Sequence, residues 1–266
     1  MRQQRKLTLT RNLRSFKSIL VANWKNKPVS EEETRTLLVG LKKKAQVYKR
    51  IKTFIAPPLV YFESVSEKIK GFAHLASQGM PFALVGARTA LVTPEILQSF
   101  GVRIAIIGHS EERECGETNE LVSRRVRTAL KSGIIPLVCV GEMERDHEGM
   151  HLEFLRKELK LSLEGIKRKD DASKLMIAYE PVWAIGKSAR DAMLLKDLAE
   201  MVIFIRRILT DLFGRKVAEK ISILYGGSVE PANARELIKE SGVNGFLVGH
   251  VSLDAKKFAA IAEALI

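Results

Sequence analysis

Cysteine is scarce. The 266 residues contain two, Cys115 and Cys139, which form neither a C-x-x-C pair nor a metal-ligand spacing with the five histidines. A redox motif and a zinc site are therefore not written in this chain, and a reducing compartment suits the usage. Aromatic residues make up only 6% of the sequence and rarely interleave with the basic ones, which argues against a stacking groove for nucleic acid. No apolar run reaches the ~18 residues that a membrane span needs. The most apolar stretch, "MVIFI" at 201–205, ends in Arg206 and Arg207. The first seventeen residues hold six Lys or Arg and no acid, yet lack the apolar segment of a secretory signal. They share the composition of an organellar transit peptide; we read residues 1–17 as a flexible basic extension, and the protein as cytoplasmic.

What remains is rich in apolar residues, 46% of the chain, enough for a sizeable core. The formal charge of +13 is spread through helical segments and reads as a solvated basic surface. Eight short apolar segments recur: "SILVAN" (18–23), "TFIAP" (53–57), "FAHLAS" (72–77), "VRIAIIG" (102–108), "IIPLVCVG" (134–141), "LMIAYE" (175–180), "ISILYGG" (221–227) and "GFLVGH" (245–250). Near-continuous apolar runs suit strands covered on both faces of a parallel sheet. Amphipathic helical patterns separate them. Ser30 caps one, and Pro94 after Thr93 opens another. Alternation of this kind over some 250 residues predicts an α/β fold, a single-domain (β/α)8 barrel over 18–266.

In such a barrel, chemistry belongs at the carboxyl ends of the strands, and phosphate commonly binds after strands seven and eight. Asn23 and Lys25 end the first strand and share a face, with Trp24 opposite. A strand end reaching water explains them equally well. His109 follows a glycine and leads into an acidic helical turn, where backbone partial charge disfavours the imidazolium. A structural histidine is the bland account. Glu111, two residues on, faces the same mouth and can pair with Lys25. Cys139 reads as a small buried hydrophobe on its strand. Glu180 ends the sixth strand under "PVWAIG"; a closing apolar flap would strengthen it as a base, whereas a structural ion pair is the alternative. Gly226 and Gly227 in "YGGSV", and Gly249 in "LVGHVSL", leave backbone N–H groups open to an anion.

Taken in order, "NWK", "GHSEER", "VCVGE", "AYEPVWAIG", "YGGSV" and "GFLVG" resemble the motifs of the triosephosphate isomerases, over about residues 18–266. The resemblance implies interconversion of dihydroxyacetone phosphate and glyceraldehyde 3-phosphate with no cofactor and no metal. It implies Glu180 as the base, His109 as the neutral electrophile and Lys25 as the cation beside Asn23. It implies a lid over 181–186 and phosphate amides at or beside Gly186, Gly227, Ser228 and Gly249. It also implies a homodimer in which Thr89 reaches the partner's site, with no nucleic acid or membrane as partner.

Departures from the family pattern are local. The lid continues "AIGKSARDAM" where "AIGTGKTA" is usual. Glu112 replaces an arginine, the segment before "CGET" is one residue short, and "GARTAL" replaces "GAYTGE". His250 stands where the family has a phosphate-site glycine. Two other readings fit a phosphate-binding barrel: a different phosphosugar isomerase or epimerase, which needs another base and usually a metal, and an idle barrel that only binds phosphorylated ligands or nucleic acid. The set Lys25, His109 and Glu180 separates them from the first reading.

Overall fold

The computed structural model describes residues 18–81, 91–146, 148–184 and 193–266. Residues 1–17, Thr89, Gly186 and the trailing lid hinge lie outside the described residues. Eight strands form: β1 Ile19–Asn23, β2 Lys52–Ala56, β3 His74–Ser77, β4 Ile104–Ile107, β5 Ile135–Val140, β6 Met176–Tyr179, β7 Ser222–Tyr225 and β8 Gly245–Val248. Each pairs in parallel with its sequence neighbours, and β1 closes the barrel on β8 with Ile19 opposite Gly245.

The uninterrupted apolar runs now have a cause. One set of residues, including Val21, Phe54, Ala76, Ile106, Leu137, Ala178, Leu224 and Leu247, fills the barrel interior. The alternate set, including Leu20, Ile55, Ala105, Val138 and Ile177, packs outward against the helices. Both faces of each strand are dry, so neither tolerates a polar alternation.

Local signals set the helices. Ser30 Oγ accepts the Glu33 N–H at 3.2 Å, while Glu33 reaches back to the Val29 N–H at 3.1 Å. That reciprocal cap opens Glu31–Lys43. The helical pattern extends to Tyr48, but the backbone leaves helical geometry at Lys44, and Ala45–Tyr48 forms a separate turn. The run "MVIFI" lies in Leu195–Phe213, with Met201, Val202 and Ile205 buried and Ile203 facing solvent. Among the described residues no helix is long and apolar enough to cross a membrane.

The seam between β1 and β8 depends on Gly245. Its φ is +150°, and a Cβ there would lie 1.8 Å from the Ile19 carbonyl oxygen. We expect Gly245→Ala to cost about 2–5 kcal/mol by urea unfolding, from backbone strain and the forced opening of the seam. An unchanged midpoint and slope would show that the seam yields freely.

Candidate active site

The carboxyl ends of the strands meet at one mouth, and the polar candidates gather there. β1 ends at Asn23, and the register that would carry Lys25 onto the same face stops with it: Lys25 has φ +54°, a left-handed conformation that few non-glycine residues adopt. Strand parity with Asn23 therefore does not place Lys25; a loop turn, not a pleat, aims it. Neighbours hold that turn. The Lys25 N–H donates to Asn23 Oδ1 at 3.1 Å, and Gln78 Nε2 donates to the carbonyls of both Lys25 and Ala56. Left-handed backbone costs roughly 1–2 kcal/mol at such a residue, so its persistence marks a place where position matters more than relaxation. Lys25 Nζ donates to Glu111 Oε1 at 2.5 Å. A side-chain carbon on Gly249 would lie 3.5 Å from Lys25 Cε, so the β8 end and the ammonium are adjacent.

His109 caps the short helix Ser110–Glu114. Its Nδ1 accepts the Glu111 N–H at 3.2 Å. A ring nitrogen that accepts carries no proton, so the ring in this arrangement is neutral and its one N–H is on Nε2. That nitrogen stands 3.6 Å from Glu180 Oε1.

Glu180 is 2% exposed. Its other carboxylate oxygen accepts the Ser110 N–H at a long 3.4 Å. Its fit is steric as much as electrostatic. A Cβ on Gly141 would lie 1.8 Å from the Glu180 carbonyl oxygen, and one on Gly226 would lie 2.7 Å from Glu180 Cγ. The glycines that follow two flanking strands thus leave room for this residue, Gly141 beside its backbone and Gly226 beside its side chain. Cys139 lies wholly buried on β5, and burial together with the adjacent Glu180 pushes its thiol well above the usual range. A thiol held neutral beside the carboxylate adds no competing charge.

The phosphate-side candidates surround the same mouth. Ser228 Oγ donates to the Ala184 carbonyl at 2.8 Å, tying the β7 loop to the foot of the flap. A side chain on Gly227 would collide with Tyr225 Oη. His250 begins the short 3-10 turn His250–Leu253 directly after Gly249 and is exposed. It is not among the positive-φ residues, so this backbone accepts a histidine where a glycine is usual. Among the described residues no group of three or more His, Cys, Asp or Glu is arranged to hold a metal ion.

Residues 18–265 match the family model described as triosephosphate isomerase. Curated relatives include the triosephosphate isomerase of Clostridium botulinum (strain Okra / Type B1), 38% identical over 92% of this chain and 98% of that protein. Those of Natranaerobius thermophilus and Carboxydothermus hydrogenoformans are 36% and 37% identical, covering 93% and 94% of this chain and 95% and 99% of theirs. The chain belongs to the triosephosphate isomerase family.

Three supporting residues were not assigned a role by sequence reasoning in this family member. Glu142 is almost fully buried and accepts from Tyr179 Oη and Trp183 Nε1, each at 2.9 Å. It anchors the first turn of the flap, and its place in "VCVGE" was the available signal. Arg113, the basic residue amid "SEERE", donates from Nε to the Gly108 carbonyl at 2.8 Å and from Nη1 to Asn119 at 2.7 Å. Glu158 accepts the Gly141 N–H at 2.8 Å and lies 3.3 Å from Arg113 Nε. Nothing local in "RKELK" distinguished Glu158 from a solvated helix acid. A recess of about 410 Å³ opens among Arg113, Glu158, Gly141 and the outer side of Glu180. It adjoins Glu180, and Lys25 and His109 do not line it.

Burial, reinforced by Glu180 and Glu142, pushes the Glu158 carboxyl up to about 7, against the pull of Arg113 and the Gly141 N–H. A raised folded-state value means that the native state holds its proton more tightly than the unfolded chain. The stabilisation is complete below the ordinary value of 4.5 and is lost as pH rises through about 7. Glu158→Gln keeps the acceptor for Gly141 and removes the titration. Between pH 5.5 and 8 we expect the parent to lose about 2 kcal/mol more stability than the variant, from the linkage relation. Parallel stability profiles for the two proteins would contradict a buried, titrating Glu158.

Proposed function

We propose that this chain interconverts dihydroxyacetone phosphate and D-glyceraldehyde 3-phosphate through an enediolate, as an aldose–ketose isomerase of glycolysis and gluconeogenesis, with Glu180, His109 and Lys25 performing the chemistry and no cofactor. The single observation that supports the assignment best is the pairing of a neutral Nε2–H donor on His109 with the buried Glu180 carboxylate, 3.6 Å apart at one mouth.

The roles follow from what each group can do. Glu180 removes a proton from the carbon next to the carbonyl. The electrons of that C–H bond form the C=C bond of the enediolate, and the carbonyl π pair moves onto oxygen. His109 Nε2–H hydrogen-bonds the carbonyl oxygen as that charge develops, and the ring can pass its proton between the two oxygens. Lys25 adds a fixed positive charge on the same side. Protonated Glu180 then delivers its proton to the former carbonyl carbon, whose oxygen becomes a hydroxyl with the proton that His109 passes from the other oxygen, and the carbonyl reforms on the carbon that first lost its proton. The base is held by a long hydrogen bond from the Ser110 N–H and a weak one from the Cys139 thiol, which leaves it free to pivot toward a substrate.

The phosphate would be gripped by amides around Gly227, Ser228 and Gly249, with Gly186 closing from the lid; His250 would contribute its backbone N–H and keep its exposed ring aside. Binding energy at this remote group then serves lid closure and water exclusion. We extend the reading to a cytoplasmic homodimer built around the loop that holds Thr89, with residues 1–17 outside the barrel domain 18–266 and with neither nucleic acid nor membrane as partner. Sedimentation velocity at assay concentration should give a dimer; an active monomer would refute that part.

A coupled assay with glyceraldehyde 3-phosphate should show isomerisation by the purified chain. Glu180→Gln preserves shape but cannot accept a proton, so kcat should fall ~10²–10⁴-fold with KM little changed. Near-parental turnover in that variant would remove Glu180 from the base role.

A further inference from the structure

The amino-terminal end of the barrel, remote from the mouth, holds a cavity of about 400 Å³ that the isomerisation does not use. Lys52 and His74 lie at the starts of β2 and β3, two residues before Phe54 and Ala76 of the barrel interior, so strand parity sets them on the interior-facing side. Arg103 immediately precedes β4, and its N–H donates to the Leu75 carbonyl at 3.0 Å. Lys49 and Lys70 come from the helix ends that flank the opening. All five line the cavity, and among the described residues that line it there is no aspartate or glutamate. Among the described residues Lys49, Lys70 and Arg103 have no ion-pair partner.

Like charges gathered on one wall repel one another, and a surface that merely needs solubility spreads them out. Here they converge on a concave wall. Two consequences of crowding are visible. Burial lowers the proton affinity of Lys52. Burial, then Lys52 and Arg103, lowers that of His74, whose ring packs 5.6 Å from Phe54. An anion seated among them would relieve the repulsion and offer acceptors to Lys49, Lys70 and Arg103.

We propose that this cavity is a second ligand site, at the opposite end of the barrel from the catalytic mouth, that takes a small anion carrying two linked phosphoryl groups. Lys52 at the start of β2 and Arg103 just before β4 stand on either side of His74 on β3, while Lys49 and Lys70 stand at separate helix ends. Four permanent cations exceed the charge of one phosphate dianion, and two linked phosphoryl groups come closer to offsetting them. A concavity of this size admits a small molecule and not a folded partner. The arginine suits bidentate contact with a phosphoryl group, and the lysines act as point charges around it.

The test is histidine-ring NMR on the full chain, titrated with inorganic pyrophosphate, with His74→Asn identifying the resonance. His74 faces Lys52 and Arg103, so filling the cavity should raise its titration midpoint by about one pH unit. Lys52→Gln with Arg103→Gln should weaken pyrophosphate binding at this site about tenfold, as loss of charge-assisted contacts implies, with isomerase turnover unchanged. Inorganic phosphate should bind the site at least as weakly as pyrophosphate binds that double variant. Pyrophosphate that shifts only His109 would be occupying the catalytic mouth and would overturn the proposal, a result the parent protein gives without any variant. Equal affinity of parent and double variant would overturn it as well.

Discussion

The mouth of this barrel depends on seating one carboxylate among backbone atoms. Glu180 occupies space that a side chain on Gly141 or Gly226 would invade, so β5 and β7 must both end bare beside it. Burying a charge is costly unless donors meet it. The groups that meet it are weak or long: the Ser110 N–H at 3.4 Å, the Cys139 thiol, and His109 Nε2 standing 3.6 Å away. A carboxylate so placed is dry but not locked. Without a tight ion pair to lock it, the carboxylate remains able to turn.

Around it the structure separates what must be rigid from what must be free. Glu142 ties Tyr179 and Trp183 together, which fixes the base of the flap from the β5 side, and Ser228 holds the Ala184 carbonyl from the β7 side. Lys25 is held in left-handed backbone by Asn23 and Gln78. His109 has its tautomer set by a backbone N–H two residues on. Each functional side chain is thus oriented by a neighbour that need not touch substrate, as preorganised electrostatics requires. Arg113 and Glu158 extend that support outward, since Glu158 grips the N–H of the glycine against which Glu180 packs.

The two ends of the barrel carry different electrostatics. At the carboxyl end, acids and bases are interleaved and paired: Lys25 with Glu111, Arg113 with Glu158, and Arg125 with Glu117. At the amino end, cations line a cavity with no acid among its described lining residues. A composition count does not reveal that difference between the two ends.

Much was legible in the amino-acid sequence by itself. The eight apolar runs, the helix caps at Ser30 and Thr93 and the alternation of elements reflect local physics: two-sided burial for parallel strands, and orphan N–H groups at helix starts. The ordered motifs sufficed to indicate the family and the candidates Lys25, His109 and Glu180. Only tertiary structure decided how these are held. The turn that aims Lys25 depends on Gln78, contributed from beyond β3, and the anchor of the flap depends on Glu142 from β5. Glu158 reads in sequence as an ordinary helix acid and becomes a buried, proton-retaining group only because its helix packs against Gly141. The cationic cavity at the amino end is likewise assembled from separate segments. Periodicity and capping act over a few residues and are written locally, whereas burial and pairing are set by segments far apart in the chain, whose proximity exists only once the barrel has closed.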